Sequence, residues 1–323
     1  MDWGCGREGC VAGLAGGLPP AGGAVIARCR SSSSLGSVTG WPPGGAAGAA
    51  RRGVVGVALD AILKPINRLG RGTASALAEL GYAGAILVES VYFALVGWRH
   101  GQPVRPAAIV EQMRQVGIDA IPIVLLLSFT VGLMLGIQFV SAFSEFNAES
   151  QVVMAVAKSV TREFGALITG ILVAGRSGSA FAARIGSMNV SQEVDALYVI
   201  GIEPVRYLAA PALVAMLVML PTLTVLANTA AIVGAALYCA PVLEVSPVVY
   251  IIQTLHALEM RDIWEGLSKS VVFAVIITLV GISTGFGVTG GAEGVGRATT
   301  RAVVLSITLL VVADMVFSFF LNR

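Results

Sequence analysis

The sequence predicts an all-α integral membrane protein, and its composition and long uncharged runs are the observations behind that prediction. Hydrophobic residues make up 56% of the 323 residues and charged residues only 12%, and the mean hydropathy is +0.83. A soluble domain carries about 25% charged residues, so this chain lacks the polar side chains to cover a water-exposed globule of its size. Several uncharged runs reach the length of about 20 residues that a helix needs to cross a bilayer.

Residues 1–53 are rich in Gly, Ala, Pro, Ser and Arg and show no helical or strand period. Such a segment buries too little apolar surface to offset the entropy lost on ordering, so we predict a disordered low-complexity extension. Three origins remain open: a plain tail (or a start codon placed too far upstream), an organelle transit peptide, and a binding tail. The bases of this segment and its serine run at 31–34 keep the transit peptide in consideration.

Residues 54–118 form the second predicted region, apolar but interrupted by charges such as Asp60, Lys64 and Glu89. No uncharged window here is long enough to span, so an amphipathic helix lying in the membrane interface fits better. Trp98, with the basic residue that follows it, suits the headgroup layer.

The third region, 119–323, holds five predicted transmembrane helices. The third of them is too long for one straight span and contains three prolines, which predicts a kinked helix with a re-entrant or external tail. The five predicted spans cover residues 120–144, 151–175, 207–243, 270–292 and 302–321.

Basic residues indicate the orientation, because cytoplasmic loops carry the excess of Lys and Arg. The segment before the first span is basic, and so is the loop of residues 176–206. The segments 144–150 and 244–265 are instead acidic on balance. We therefore expect the N-terminal region and the 176–206 loop to be cytoplasmic and the C-terminus to be outside.

Three charges inside the second span are the sharpest functional signal. Lys158 and Arg162 share one helix face, and Glu163 follows directly. Charges at membrane depth are costly unless they are paired or hydrated, and they mark functional sites by default. We expect Glu163 to face a water-accessible cavity that holds a polar lipid head or another amphiphile; the alternative places all three in the headgroup layer. Asp314, in the fifth span, is weaker evidence of the same kind.

A polar, glycine-rich stretch follows this span, at residues 175–197. It is predicted as a helix–turn–helix loop in which Ser191 begins a short helix and Gln192 and Glu193 occupy its first turn, favourable to the helix dipole. Arg184, Glu193 and Asp195 give the loop a charged face for a soluble partner. A solvated connector is the alternative.

Other patterns narrow the function. The two histidines are not part of any catalytic cluster, and no phosphate-binding GxxxxGK[ST] motif occurs, so an ATPase would be a separate chain. A net charge of +2 gives no indication of nucleic-acid binding. The four cysteines lack metal-ligand spacing. GxxxG pairs, at 132/136, 281/285 and 287/291, favour close helix packing within the chain.

Two long blocks carry a family resemblance. GRSGSAFAARIGSMNVSQEVDAL (175–197) followed by GIEPVRYLAAP (201–211) resembles the signature of the MlaE/YrbE-type permeases, the membrane subunits of ABC transporters that move phospholipids and related lipids between membranes. TREFG (161–165), KSVVFA (269–274) and GAEGVGRATTRAVV (291–304) agree with the same family. The resemblance extends from about residue 72 to residue 322.

The resemblance implies an N-terminal interfacial helix and five transmembrane helices that dimerise around a central lipid cavity. It implies a coupling helix at 185–199 that seats in an ABC ATPase, with Arg184, Gln192, Glu193 and Asp195 as its polar contacts. It also implies an MCE-domain lipid-binding partner, ATP bound by the ATPase and no cofactor on this chain. The resemblance also implies the residues that contact lipid: Leu135, Ala142, Phe143, Phe146 and Glu163. Two of them, Ala142 and Phe146, differ from the residues of the family at these positions.

Members of this family reside in the bacterial inner membrane, with the plastid inner envelope as an alternative location. Two rival functions remain from the residues themselves. One is a secondary transporter that uses Lys158, Arg162, Glu163 and Asp314 as a proton or ion relay; the other is a membrane scaffold whose loop recruits a partner.

Overall fold

The described part of this computed structural model comprises residues 81–82, 84–92 and 106–321, and within it the chain is helical with no strand. The predictions for residues 1–53 and for most of 54–105 lie outside these residues. Residues 84–92 form a helical segment. Five of the longer helical stretches are long and apolar enough to cross a membrane, which confirms the predicted all-α membrane architecture.

The helices follow one another with short connections. In chain order they are α1 (Pro106–Val116), α2 (Ile121–Ser144), α3 (Val152–Val190), α4 (Glu193–Val199), α5 (Val205–Val242), α6 (Pro247–Ala257), α7 (Met260–Phe286) and α8 (Gly291–Leu321). A 3₁₀ turn at Ile118–Ala120 joins α1 to α2, and the two count as one candidate span. The other four candidates are α3, α5, α7 and α8.

Short connections make consecutive spans run in opposite directions, so the described bundle has two distinct ends. One end carries the short helix α4 between α3 and α5, and we call it the α4 end. The other carries α6 between α5 and α7, together with the connection from α2 to α3, and we call it the α6 end. The predicted orientation makes the α4 end cytoplasmic.

The α2–α5 contact is a close backbone approach that depends on glycine. A Cβ added at Gly132 would overlap the carbonyl oxygen of Ala231, and one added at Gly234 would overlap that of Phe129. Since only glycine lacks this atom, the two helix backbones touch directly. The predicted role of the Gly132/Gly136 pair in packing within the chain is therefore confirmed.

The second predicted glycine pair lies between α7 and α3. A Cβ at Gly281 would stand 2.9 Å from the carbonyl oxygen of Gly178, and one at Gly285 would stand 2.8 Å from the Cβ of Ile185. The third pair makes no such approach: Gly291 has open space around the position of a Cβ. Two of the three patterns therefore mark helix contacts within the bundle.

Two predictions about the boundaries of the spans are wrong. Residues 175–190, expected to lie outside the second span in a helix–turn–helix segment, continue α3 as helix, with a π-helical turn at Ala174–Gly178. The expected coupling helix at 185–199 is consequently split: Ile185 belongs to α3, and α4 begins only at Glu193. The third span, predicted as a kinked helix with a re-entrant or external tail, is helical without interruption as far as Val242 and includes Pro221 and Pro241.

Candidate functional site

The candidate site begins with a π-helical segment in α3, Val160–Phe164, which contains Arg162 and Glu163. A π-turn inserts one extra residue into a helical turn and is frequent at functional sites. Helix α7 crosses α3 here so closely that a Cβ on Gly266 would overlap the carbonyl oxygen of Thr161. This crossing brings the charged side chains of α3 against those of α7.

Glu163 is held by side chains from two other helices. Its Oε2 accepts a 2.6 Å hydrogen bond from Nζ of Lys269 on α7, and its Oε1 accepts a 2.9 Å bond from the hydroxyl of Ser318 on α8. Lys269 also donates to the Ser318 hydroxyl at 3.1 Å, which closes a three-residue ring. The Glu163 side chain nevertheless keeps 35% of its surface exposed, so one side of this carboxylate is open to a ligand.

Lys269 also forms an ion pair with a second carboxylate. Its Nζ lies 3.0 Å from Oδ1 of Asp314 on α8, although that oxygen lacks the geometry of a hydrogen bond. The short distance makes the contact an ion pair, since charge attraction does not depend on donor direction. With its side chain only 2% exposed, Lys269 is a buried cation between two carboxylates.

Arg162 forms the second part of the cluster. Its Nε donates to Oδ1 of Asp262, and it lies 3.4 Å from Oε2 of Glu265. Asp262 is fully buried, and it also closes a capping box with Glu259 at the first turn of α7. Arg261 completes this part with a 2.8 Å hydrogen bond to Glu265.

Lys158 lies one turn before Arg162 and contacts Glu259 at 3.5 Å. The ion pairs of α3 and α7 thus follow the seam between the two helices inward from the α6 end. At about 1.5 Å per residue, Lys158 lies about 9 Å and Glu163 about 17 Å from the first residue of α3. The prediction that Lys158 and Arg162 share a helix face is confirmed, because both reach acids on α7.

The cluster extends from exposed side chains at the α6 end, Glu259 and Arg261, to the buried Lys269 inside the bundle. Four cations face five carboxylates, so the ionised cluster carries one excess negative charge. Uncompensated charge in a low-dielectric interior is costly, and a cation or a hydrogen-bond donor on an incoming molecule would offset it. Its members are Lys158, Arg162, Glu163, Glu259, Arg261, Asp262, Glu265, Lys269 and Asp314.

The other residues expected to contact lipid lie on α2 and just beyond it. Leu135 is buried, in an apolar cluster that includes Val156 and Tyr250. Phe143 packs against that cluster, with its ring centroid 6.0 Å from that of Phe139. Ala142 is exposed, and Phe146 is 79% exposed at the α6 end. No hydrogen bond or ion pair joins these side chains to the charged cluster within the described residues.

The residues expected to couple to an ATPase lie at the α4 end. Arg184, Gln192, Glu193 and Asp195 are all exposed. Gln192 adopts a left-handed backbone conformation with φ 61°. This conformation turns the chain after α3, and α4 begins at the next residue. The helix N-terminus holds Glu193, whose carboxylate accepts a 2.9 Å hydrogen bond from Ser191. Acidic residues are favourable at this position.

The short helix α4 also exposes apolar side chains. Tyr198 is 60% exposed and Val199 is 88% exposed, and Ile200 follows at 71%. Val194, on the opposite side, is buried against the bundle. The α4 end therefore presents an apolar strip beside two carboxylates, the composition of a surface that docks into a protein groove.

Sequence reasoning missed the contribution of α7. Asp262 and Glu265 were assigned to the outer segment 244–265, and Lys269 was placed at the opening of the fourth span, which was expected to begin at residue 270; the helix begins ten residues earlier, at Met260. A signal was present, because these three residues are spaced i, i+3 and i+7 and so share one helix face. That face points at α3.

Comparisons with known proteins agree on one family. The model of the family described as Permease MlaE matches residues 109–320. A probable ABC transporter permease protein of Rickettsia felis is 36% identical over 212 residues, covering 66% of this chain and 82% of that protein. One from Synechocystis is 35% identical, covering 65% and 80%. Protein TRIGALACTOSYLDIACYLGLYCEROL 1, chloroplastic, of Arabidopsis thaliana is 38% identical, covering 65% and 60%.

Proposed function

Because the chain belongs to the MlaE family of permeases, we propose that it is the membrane subunit of an ATP-driven ABC transporter that moves phospholipids or related lipids between membranes. Its five apolar helices make it a multi-pass membrane protein. The observation that carries the proposal is Glu163, a partly exposed carboxylate held by Lys269 and Ser318 inside an apolar bundle.

The charged cluster supports an amphiphilic cargo. A lipid needs polar contacts for its head and an apolar path for its chains, and both are present along the α6 end of the bundle. The open side of Glu163 accepts hydrogen bonds from a headgroup hydroxyl or amine. The acyl chains would contact the apolar side chains on α2 and just beyond it: Leu135, Ala142, Phe143 and Phe146.

The lipid class rests on one relative. The Arabidopsis protein is named after trigalactosyldiacylglycerol, and we extend a lipid cargo from that name to this chain. The Rickettsia and Synechocystis relatives are named as ABC transporter permeases without a cargo. The name ABC transporter permease implies an ATPase partner, and a separate chain would bind the ATP.

The α4 end fits that ATPase. Its apolar strip at Tyr198 and Val199 would fill a groove on the partner, and Glu193 and Asp195 would meet basic residues at the rim. Closure of the ATPases would then push on α4, which connects α3 to α5 and so reaches the helix that carries Glu163. We further propose a homodimer and an MCE-domain lipid-binding partner, in a bacterial inner membrane or a plastid inner envelope.

The first test is affinity purification of the tagged full-length chain from its native membrane, with mass spectrometry of proteins and lipids. An ATPase and an MCE-domain protein, with phospholipid retained, would support the proposal and name the cargo. A complex that holds neither an ATPase nor lipid would contradict it.

The second test addresses Glu163 directly. Glu163→Ala should leave the complex assembled and reduce the lipid retained per transporter, because it removes the open carboxylate. Glu145→Ala is the matched control, since Glu145 is exposed at the same end of the bundle. Unchanged lipid content in Glu163→Ala would overturn the role of this residue.

A proton- or ion-coupled secondary transporter is the second candidate, and one observation favours it. Glu163, Lys269 and Asp314 lie in a continuous chain of contacts between three helices, as a proton relay would require. The discriminating experiment is lipid transfer in proteoliposomes with and without ATP. Transfer that follows a pH gradient and ignores ATP would favour the relay.

A further inference from the structure

Helix α6 divides its surface into three sectors with different surroundings. Successive residues of an α-helix are about 100° apart, so its eleven residues sample the whole circumference. One sector faces the protein: Tyr250 and Thr254 are 1% and 3% exposed, and Tyr250 joins the apolar cluster that contains Val153 and Val156 of α3. Helix α6 thus rests on the first turns of α3.

The second sector is apolar and exposed. Val248, Ile252 and Leu255 follow one another at i, i+4 and i+7, and Ile251 borders them; their exposed fractions run from 48% to 68%. The spacing places all four on one stripe of the helix. Exposure of four contiguous aliphatic side chains to water is unfavourable, so this stripe favours an apolar environment.

The third sector is polar and lies between the other two. Gln253 and His256 are exposed there, beside Val249. The helix contains no Asp, Glu, Lys or Arg. A helix with protein on one side and an exposed apolar stripe next to a polar sector can lie in the plane of a membrane interface, with the stripe towards the acyl chains and the polar sector towards water.

The surroundings of α6 favour lipid over a protein partner for the apolar stripe. The stripe consists of aliphatic residues, whereas the energetic centres of protein interfaces are enriched in Trp, Tyr and Arg. The adjoining helices continue the apolar exterior: Leu237 of α5 is 62% exposed and Ile263 of α7 is 36% exposed. Trp264, 68% exposed at the second turn of α7, has the side chain that concentrates at the headgroup level.

We propose that α6 is an interfacial anchor whose Val248, Ile251, Ile252 and Leu255 stripe inserts into the headgroup and upper acyl region of the leaflet at the α6 end. The anchor fixes the depth in the membrane of the first turns of α3. It thereby also fixes the depth of the ion pair nearest the α6 end, Lys158–Glu259. The inference does not depend on which molecule is transported.

The experiment measures the environment of single nitroxide labels on the full chain in phospholipid nanodiscs. Cysteine is introduced at one position at a time, Val248→Cys, Ile252→Cys or Leu255→Cys, in a background where Cys5, Cys10, Cys29 and Cys239 are replaced. Gln253→Cys, on the same helix, is the matched control. Collision rates with oxygen, which concentrates in lipid, and with a water-soluble nickel complex are compared.

For the stripe we expect oxygen collisions to exceed those with the nickel complex, and for Gln253→Cys we expect the reverse. Stripe labels that collide mainly with the nickel complex would place α6 in water and overturn the proposal. Stripe labels that are immobile and reached by neither reagent would show a protein cover, a second copy or another chain, and would overturn it equally. Three separate stripe positions keep the result independent of any one variant that fails to fold.

Discussion

Lys269 and Glu163 form a 2.6 Å ion pair in which the cation is almost fully buried and the carboxylate is a third exposed. The two residues are more than a hundred positions apart and come from different helices. The pair therefore joins α3 to α7 and at the same time leaves Glu163 accessible. Its asymmetric burial means that removing the lysine and removing the glutamate should have different consequences.

Lys269→Met should destabilise the protein strongly. Methionine preserves much of the side-chain volume but leaves Glu163 and Asp314 without their shared cation, and breaking a buried ion pair costs about 3–5 kcal/mol. The measurement is the unfolding midpoint of the purified protein in detergent. Adding Glu163→Gln and Asp314→Asn to Lys269→Met should recover part of the loss. Equal stability of Lys269→Met and the unmodified protein would contradict the assignment.

Gly234→Ala should separate α2 from α5. The added Cβ would overlap the carbonyl oxygen of Phe129, and backbone cannot move aside as a flexible side chain can. Gly296→Ala, in α8, is the control: the space around it is open, and in a helix alanine is favoured over glycine by about 0.8–1.0 kcal/mol. The midpoint temperature of thermal unfolding should therefore be lower for Gly234→Ala, and unchanged or slightly higher for Gly296→Ala, than for the unmodified protein. The reverse order would contradict the close approach.

Glu193→Lys combined with Asp195→Lys should uncouple the ATPase without unfolding the bundle, because both side chains are exposed at the α4 end. The expected result is normal amounts of permease, with loss of co-purified ATPase or of transport-linked ATP hydrolysis. Glu145→Lys reverses a charge at the opposite end and should have no such effect. Normal co-purification of the ATPase and normal ATP hydrolysis in the double variant would show that α4 is not part of the docking surface.

Stability should depend on pH through Glu89. Burial and a hydrogen bond to the neighbouring Glu203 raise the pKa of Glu89 from 4.5 to about 7. The folded state then binds a proton that the unfolded state has lost, so the contribution of Glu89 to stability is greatest below about pH 4.5 and disappears as the pH rises to about 7. Comparing the unfolding midpoint of Glu89→Gln with that of the unmodified protein across this window isolates the effect. Parallel pH profiles would contradict it.

The spans and one side of the charged cluster were predictable from the sequence. Hydropathy located five helices, and Lys158, Arg162 and Glu163 were conspicuous because each is a charge in an apolar run. Their partners were harder to identify, since a hydropathy window excludes Asp262 and Glu265 from the span that they belong to. The pairing across α3 and α7 is set by helix packing, which a local window does not contain.

The polar stretch at 175–190 shows that local polarity can also misplace the end of a span. Its glycines, serines and arginines placed it outside the second span, in a helix–turn–helix segment, yet it continues α3, because Ile185 and Phe181 of this stretch are buried against the bundle while Arg184 is exposed. Tertiary packing of one apolar face outweighed the weak local preference. The position of Leu135 likewise depends on the α2–α5 contact and could not be read from its neighbours in sequence.

The two seams described above differ in mechanical character. Backbone touches backbone between α2 and α5 at Gly132 and Gly234, and such a contact offers no alternative side-chain arrangement. The α3–α7 seam also has a close backbone approach, at Gly266, but charged side chains of α3 reach α7 beside it through ion pairs, whose partners can be exchanged. We therefore expect a force applied at α4 to move α2 and α5 together, while α3 and α7 turn about the Gly266 contact as the ion pairs around Glu163 exchange.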